Sequence, residues 1–137
     1  MKPVMQKYLH IPDQQAGDCW RACLASILEC DIEDFPRPDN YNDWSNYYPE
    51  VLKVITEKGW QWIGYTIENI DSADILQAKD TGGYVIAVGK SPRSTAEKRI
   101  NHAVVWKNGI VHDPHPDSKG ILDIIIFEVL IKLPSTF

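Results

Sequence analysis

A cysteine, a histidine and an aspartate are the residues of this chain best placed to do chemistry together. Cys19 follows Asp18 in the segment Gly17-Asp18-Cys19-Trp20-Arg21-Ala22-Cys23-Leu24-Ala25-Ser26-Ile27-Leu28. Trp20, Cys23, Leu24, Ile27 and Leu28 keep the spacing of a helix with one buried stripe. Asp18 is a good N-cap, so the pattern predicts a helix over 18–29 with Cys19 at its first position. A thiol there sits among unpaired backbone N–H groups at the positive end of the helix dipole, which lowers a cysteine pKa from about 8.5 toward roughly 3.5–7.5. A thiolate so placed is a nucleophile, although Cys19 taken alone is equally an ordinary buried cysteine.

The other two residues come from a hairpin. Asn108-Gly109 between apolar runs predicts a two-residue type I′ turn. Pairing Lys107 with Ile110 sets Trp106 opposite Val111 and Val104 opposite Asp113, so residues 102, 104 and 106 share a face with 111, 113 and 115. His102 and Asp113 become diagonal neighbours, with Cα atoms about 7–8 Å apart, and His112 points the other way. An imidazole so held takes the thiol proton and returns it to a leaving group, while the carboxylate fixes the tautomer. Oxyanion donors are expected from the backbone N–H groups of Cys19 and Trp20, with a side-chain amide from Gln14 or Gln15.

These residues need a scaffold. Pro3 and Pro12 keep residues 1–16 extended, and Asp31 to Asn40 is an acidic, proline-marked connection. Tyr41, Trp44, Tyr47 and Tyr48 form an aromatic run that either packs over a core edge or walls a substrate groove. A second helix is expected from Pro49 to Gly59, then a strand over 60–67, a short helix from Asp71 or Ser72 to Ala78, and a buried strand over 84–89. Lys90, Arg93, Lys98 and Arg99 mark a polar loop, read either as solvated surface or as a positive lip at the active site with Arg93 binding substrate. Strands are expected over 102–107, 110–113 and 121–133. Helices first and antiparallel strands last give an α+β fold, with an N-terminal helix carrying the nucleophile packed on a C-terminal antiparallel sheet.

Composition narrows the class. A chain of 137 residues with 44% apolar and 24% charged residues fits one globular domain spanning 1–137. Its net charge of −5 argues against nucleic acid as the main partner. No stretch approaches the ~18 apolar residues of a membrane span and the first residues do not read as a signal peptide, so the expectation is a cytoplasmic protein with no membrane partner. Three cysteines, an odd number, then fit reduced thiols better than a disulfide framework.

The order Gln-bearing loop, Gly17-Asp18-Cys19-Trp20, then His102-Ala103-Val104-Val105-Trp106 and Asp113-Pro114 resembles the papain-like cysteine peptidases. The short layout with its sheet at the end is similar to bacteriocin leader peptidases and other compact bacterial and bacteriophage relatives. Ser91-Pro92-Arg93, His102 to Val105 and Asp113 to Pro116 carry a pattern like that of small bacterial and phage proteins. The resemblance implies a papain-like fold, Cys19 as nucleophile, His102 as base, Asp113 as orienting acid, no cofactor or metal, and a peptide or protein substrate. The family's glutamine lies six residues before the cysteine, where this chain has Asp13. An acyl transferase of transglutaminase type would use the same triad. Two other classes stand beside it: a zinc module drawing on Cys19, Cys23, His102, His112, Asp113 and His115, and an inactive papain-like binding module.

Overall fold

In the computed structural model, residues 1–40, 43–66 and 83–134 are described. Helix α1 (Cys19–Leu28) is buried along its whole circumference from Trp20 to Leu28, not on one stripe. It is the centre of the molecule. It ends at Glu29, which takes a left-handed conformation with φ 55° and returns its N–H to the Ala25 carbonyl. The lead-in lies along it: Lys2 N–H bonds the Ser26 carbonyl and Val4 N–H bonds Ser26 Oγ.

Helix α2 (Trp44–Glu57) starts five residues earlier than the expected Pro49. Asp43 is its true cap, accepting from Asn46 N at 3.1 Å. Pro49 lies inside the helix and withholds an N–H only from the Ser45 carbonyl, whose residue is exposed to water. The aromatic run therefore belongs to a helix, with Tyr47 buried and Trp44 exposed; Tyr41 and the expected helix at 71–78 lie outside the described residues.

Strands β1 (Trp60–Thr66), β2 (Val85–Lys90), β3 (Asn101–Trp106), β4 (Ile110–His112) and β5 (Ile126–Lys132) form one sheet in the order β1-β5-β2-β3-β4, every pair antiparallel. The architecture is α+β. Ile86, Ala103, Val105 and Leu130 face the helices, and α1 lies chiefly on β3. Val85, Ala87, Val104 and Phe127 make a second apolar layer on the opposite face, closed by Ile121 and Ile124. The last strand is shorter than the expected 121–133 run because its first residues do this covering work outside the ladder.

Close approach at one glycine shapes the end of the sheet where His102 lies. Gly89 pairs with His102, and a Cβ on it would fall 1.7 Å from the Asp123 carbonyl oxygen. Asp123 in turn accepts from Lys90 N at 2.7 Å and from Arg99 Nη2 at 2.8 Å. Gly89→Ala must push this connection off the sheet, and should cost about 1–3 kcal/mol in urea unfolding. An unchanged midpoint would show that Asp123 is not held against β2.

Candidate active site

Cys19 opens α1 and is only partly buried. Asp18 holds the N-cap position, as expected, but its side chain caps nothing. Oδ1 accepts from Tyr8 N at 2.9 Å and Oδ2 from Arg21 Nη1 at 3.3 Å. The reason is Arg21, whose guanidinium is 1% exposed and must be paired. It also donates to the Phe35 carbonyl from Nε at 3.0 Å and Nη2 at 2.8 Å, and to Glu33 Oε2 at 3.2 Å. The first amide to bond back into the helix is that of Ala22, to the Asp18 carbonyl. The amides of Cys19 and Trp20 precede it, at helix positions that have no carbonyl of their own helix to bond.

His102 is the second residue of β3, and its ring is buried beside Cys19 at the open end of the sheet. Asp113 follows β4. The register that joins them differs from the expected one at two points. Trp106, not Lys107, pairs with Ile110, giving a three-residue loop in which Asn108 has φ 54° and Gly109 φ 128°. Val111 is then an extra residue on β4, so that Val105 pairs with His112. The bulge restores the expected phase. His102 Nε2 meets Asp113 Oδ1 at 2.7 Å, while His112 points away and bonds the Val4 carbonyl at 2.8 Å.

Asp113 is fully engaged. Oδ1 also accepts from His115 N at 2.9 Å, across the rigid Pro114, and Oδ2 accepts from Gly120 N at 2.8 Å. Burial favours its neutral form, but these three donors outweigh burial and bring the carboxyl down to about 2. For His102 burial opposes the charge. The bond to Asp113 and the adjoining Cys19 side chain overcome that and raise the imidazole to about 9. With Nε2 committed to Asp113, Nδ1 is the nitrogen left for the thiol. His115 lies edge-on to His102 at 6.1 Å between ring centroids.

Cys19 and His102 line a cleft that extends to both sides of them. One arm, of about 370 Å³, is walled by Trp20, Trp44, Tyr47 and Glu128. The other, of about 220 Å³, is walled by Gln6, His10, Arg93 and His115. The aromatic run thus both packs on the core and walls a groove. Arg93 borders the cleft while bonding Asp117 Oδ2 at 2.7 Å; Arg99 is held by Asp123 instead. Gln14 and Gln15 do not border it. They sit in a tight loop closed by an Ile11–Gln15 bridge, where Gln15 Nε2 donates to the Leu9 carbonyl at 2.7 Å. Gln6 is the glutamine at the cleft, its Nε2 on the Tyr8 carbonyl at 2.8 Å and its buried Oε1 without a partner. No local pattern announces it, because chain reversal at Asp13 to Gln15 is what brings it back.

Cys19, Cys23 and Cys30 are free thiols. Cys23 is fully buried, and burial pushes its thiol well up. Among the described residues no three His, Cys, Asp or Glu side chains converge as metal ligands do. Compared with protein-family models, with curated proteins and with solved structures, the chain finds no match.

The His102–Asp113 pair ties stability to pH. A raised histidine contributes fully below 6.5 and loses its contribution as pH rises through about 9. A lowered carboxyl contributes fully above 3.8 and loses it as pH falls through about 2. Asp113→Asn should therefore cost most thermal stability between pH 3.8 and 6.5, with the gap to wild type narrowing above pH 9 to the part that the His115 and Gly120 amides contribute. A gap that stays constant up to pH 10 or so would contradict this pairing.

Proposed function

We propose that the chain is a papain-like cysteine hydrolase that cleaves an amide bond, peptide or isopeptide, through a thioester. The observation that carries this reading is the order Cys19, His102, Asp113: an imidazole fixed at Nε2 by a carboxylate at 2.7 Å, with a thiol at an uncapped helix start on its other side. The resemblance read from the sequence supports the same roles.

The Cys19 thiolate attacks the substrate carbonyl carbon, and the carbonyl electrons move onto oxygen. The backbone N–H groups of Cys19 and Trp20 donate to that oxyanion, a contribution of about 10²–10³ in rate per donor in comparable sites. Protonated His102 gives its Nδ1 proton to the leaving amine as the C–N bond breaks, and the acyl group stays on sulfur. His102, neutral again, takes a proton from water, whose oxygen attacks the thioester carbon. The C–S bond breaks, the acid departs and the thiolate–imidazolium pair returns. An amine in place of water would make the same residues a transferase.

Asp113 keeps Nε2–H oriented and offsets the imidazolium charge. A cleft open at both ends of the Cys19–His102 pair suits an extended peptide or protein substrate. Reduced thiol chemistry fits a cytoplasmic setting, and among the described residues no helix is long and apolar enough to cross a membrane.

Iodoacetamide alkylation followed by intact mass and peptide mapping tests the reading. Cys19 should react selectively and fast below pH 7, and His102→Ala should abolish that low-pH reactivity. Slow reaction of all three cysteines with a midpoint near about 8.5 would leave a binding module as the better description.

A further inference from the structure

The two arms of the cleft differ in charge and wall chemistry, and the larger one holds a buried acid that the hydrolytic steps do not use. Glu128 lies on β5, 5% exposed, opposite Gly64 of β1 and Ile86 of β2. Two indoles converge on one of its oxygens: Trp20 Nε1 donates to Oε1 at 2.6 Å and Trp62 Nε1 at 2.5 Å. Among the described residues nothing donates to Oε2. Were the side chain there only to accept from two indoles, one neutral oxygen would do, without the cost of burying a carboxylate. The charge is surplus to the fold.

What surrounds it is aromatic. Trp20 stacks on Tyr48 at 5.8 Å and tilts against Trp44 at 5.0 Å; Tyr47 meets Trp44 edge-on at 5.5 Å, and Tyr48 meets Trp62 at 5.3 Å. Trp44 stands where the two arms meet, lining both, and is 56% exposed, a large apolar side chain left in water unless something covers it. The other charged residues of the arm cancel in pairs, Asp18 with Arg21, and the His102 imidazolium with Asp113 behind it and the Cys19 thiolate beside it. A single unmatched carboxylate behind aromatic faces is the chemistry that recognises an organic cation: ring quadrupoles attract it, apolar walls hold its stem, and one anion pairs with its charge.

We propose that the arm walled by Trp20, Trp44, Tyr47 and Glu128 is a specificity subsite for an alkylammonium group of the substrate, a lysine-type side chain with its charge at Glu128. The inference rests on the hydrolase reading and names what that cleft selects. A lysine stem suits the arm's apolar walls, and its ammonium, a compact point charge with three N–H donors, pairs with Oε2 and turns its remaining donors to water at the cleft mouth. Burial pushes the Glu128 carboxyl up to about 7, against the pull of the two indole N–H groups. Tyr48 from α2, raised by burial and then by this carboxylate, and Cys23 from α1, raised by burial, then by Cys19 and then by this carboxylate, are the other titratable groups that feel it. Selection is therefore read above that point, at about pH 8, where the carboxylate form dominates.

Iodoacetamides carrying an aminobutyl, a butyl or a carboxybutyl arm, reacted with the full chain, separate the possibilities. The rate of Cys19 modification is followed by intact mass for wild type, Glu128→Gln and Trp44→Leu. Wild type should favour the aminobutyl over the butyl reagent by about tenfold, a difference of about 1.4 kcal/mol. In Glu128→Gln, whose amide oxygen still accepts from the indoles, that ratio should fall to near one. Trp44→Leu removes one wall at an exposed position, so it keeps the test open if the buried variant fails to fold; the ratio should drop at least threefold or so. Equal aminobutyl and butyl rates in wild type, or a ratio that survives in either variant, overturns the subsite. Uniformly slow reaction of Cys19 with all three reagents overturns the hydrolase reading, and the subsite with it.

Discussion

Asp18 decides how α1 begins, and nearly every other feature of the site follows from where that carboxylate is used. It is 2% exposed and stands one residue before Cys19. Had it capped the helix in the ordinary way, it would have filled the space above the first amides with negative charge. Arg21 draws it aside. The pair fixes the helix start from three directions: Tyr8 N ties in the extended lead-in, the Phe35 carbonyl ties in the connection after α1, and Ala22 N begins the ladder. A buried Asp–Arg pair of this kind often adds little net stability over an apolar replacement. Its effect here is placement, because the amides beside Cys19 stay free for an anion.

The His102 imidazole is held as firmly. Asp113 uses both oxygens on three donors, two of them backbone amides of its own turn, so it has no freedom to rotate away from His102. The turn itself is locked to the lead-in, since Gln6 N bonds the Pro114 carbonyl and His112 bonds the Val4 carbonyl. Residues 4 to 8 therefore touch both halves of the site, the helix start through Tyr8 and the strand end and turn that carry Asp113 through Val4 and Gln6. On either side of this rigid centre the cleft changes character, aromatic and acidic toward Glu128, polar and basic toward Arg93 and His115.

What the sequence discloses is local in origin. The apolar helix after Asp18-Cys19, the Asn108-Gly109 reversal and the pleat that puts His102 and Asp113 on one face are all readable from neighbours within a few positions. Even there the loop is one residue longer than the two-residue turn, and the face is kept only because Val111 bulges. Pro49 misplaces a helix start in the same way: a proline favours the first turn, but a capping aspartate at 43 and an exposed Ser45 carbonyl make an interior position tolerable. Gln6, Arg21 and Glu128 could not be read, since what gives each its place lies far along the chain: the cleft at Cys19 for Gln6, Phe35 for Arg21 and Trp20 for Glu128. Gln14 and Gln15 attracted attention by proximity to Cys19 in sequence, while the turn they belong to carries them off the cleft.

The thiolate–imidazolium pair at Cys19 and His102 is the claim on which the reading of this molecule stands. Ultraviolet absorbance of the thiolate, followed against pH in wild type, Cys19→Ser and His102→Ala, measures it without any substrate. One thiolate per chain should be present already at about pH 6, absent from both variants, and coupled to the titration of the imidazole held by Asp113. Absorbance that appears only near about pH 8.5 in all three proteins would mean that the pair does not form, and that the cleft binds but does not cut.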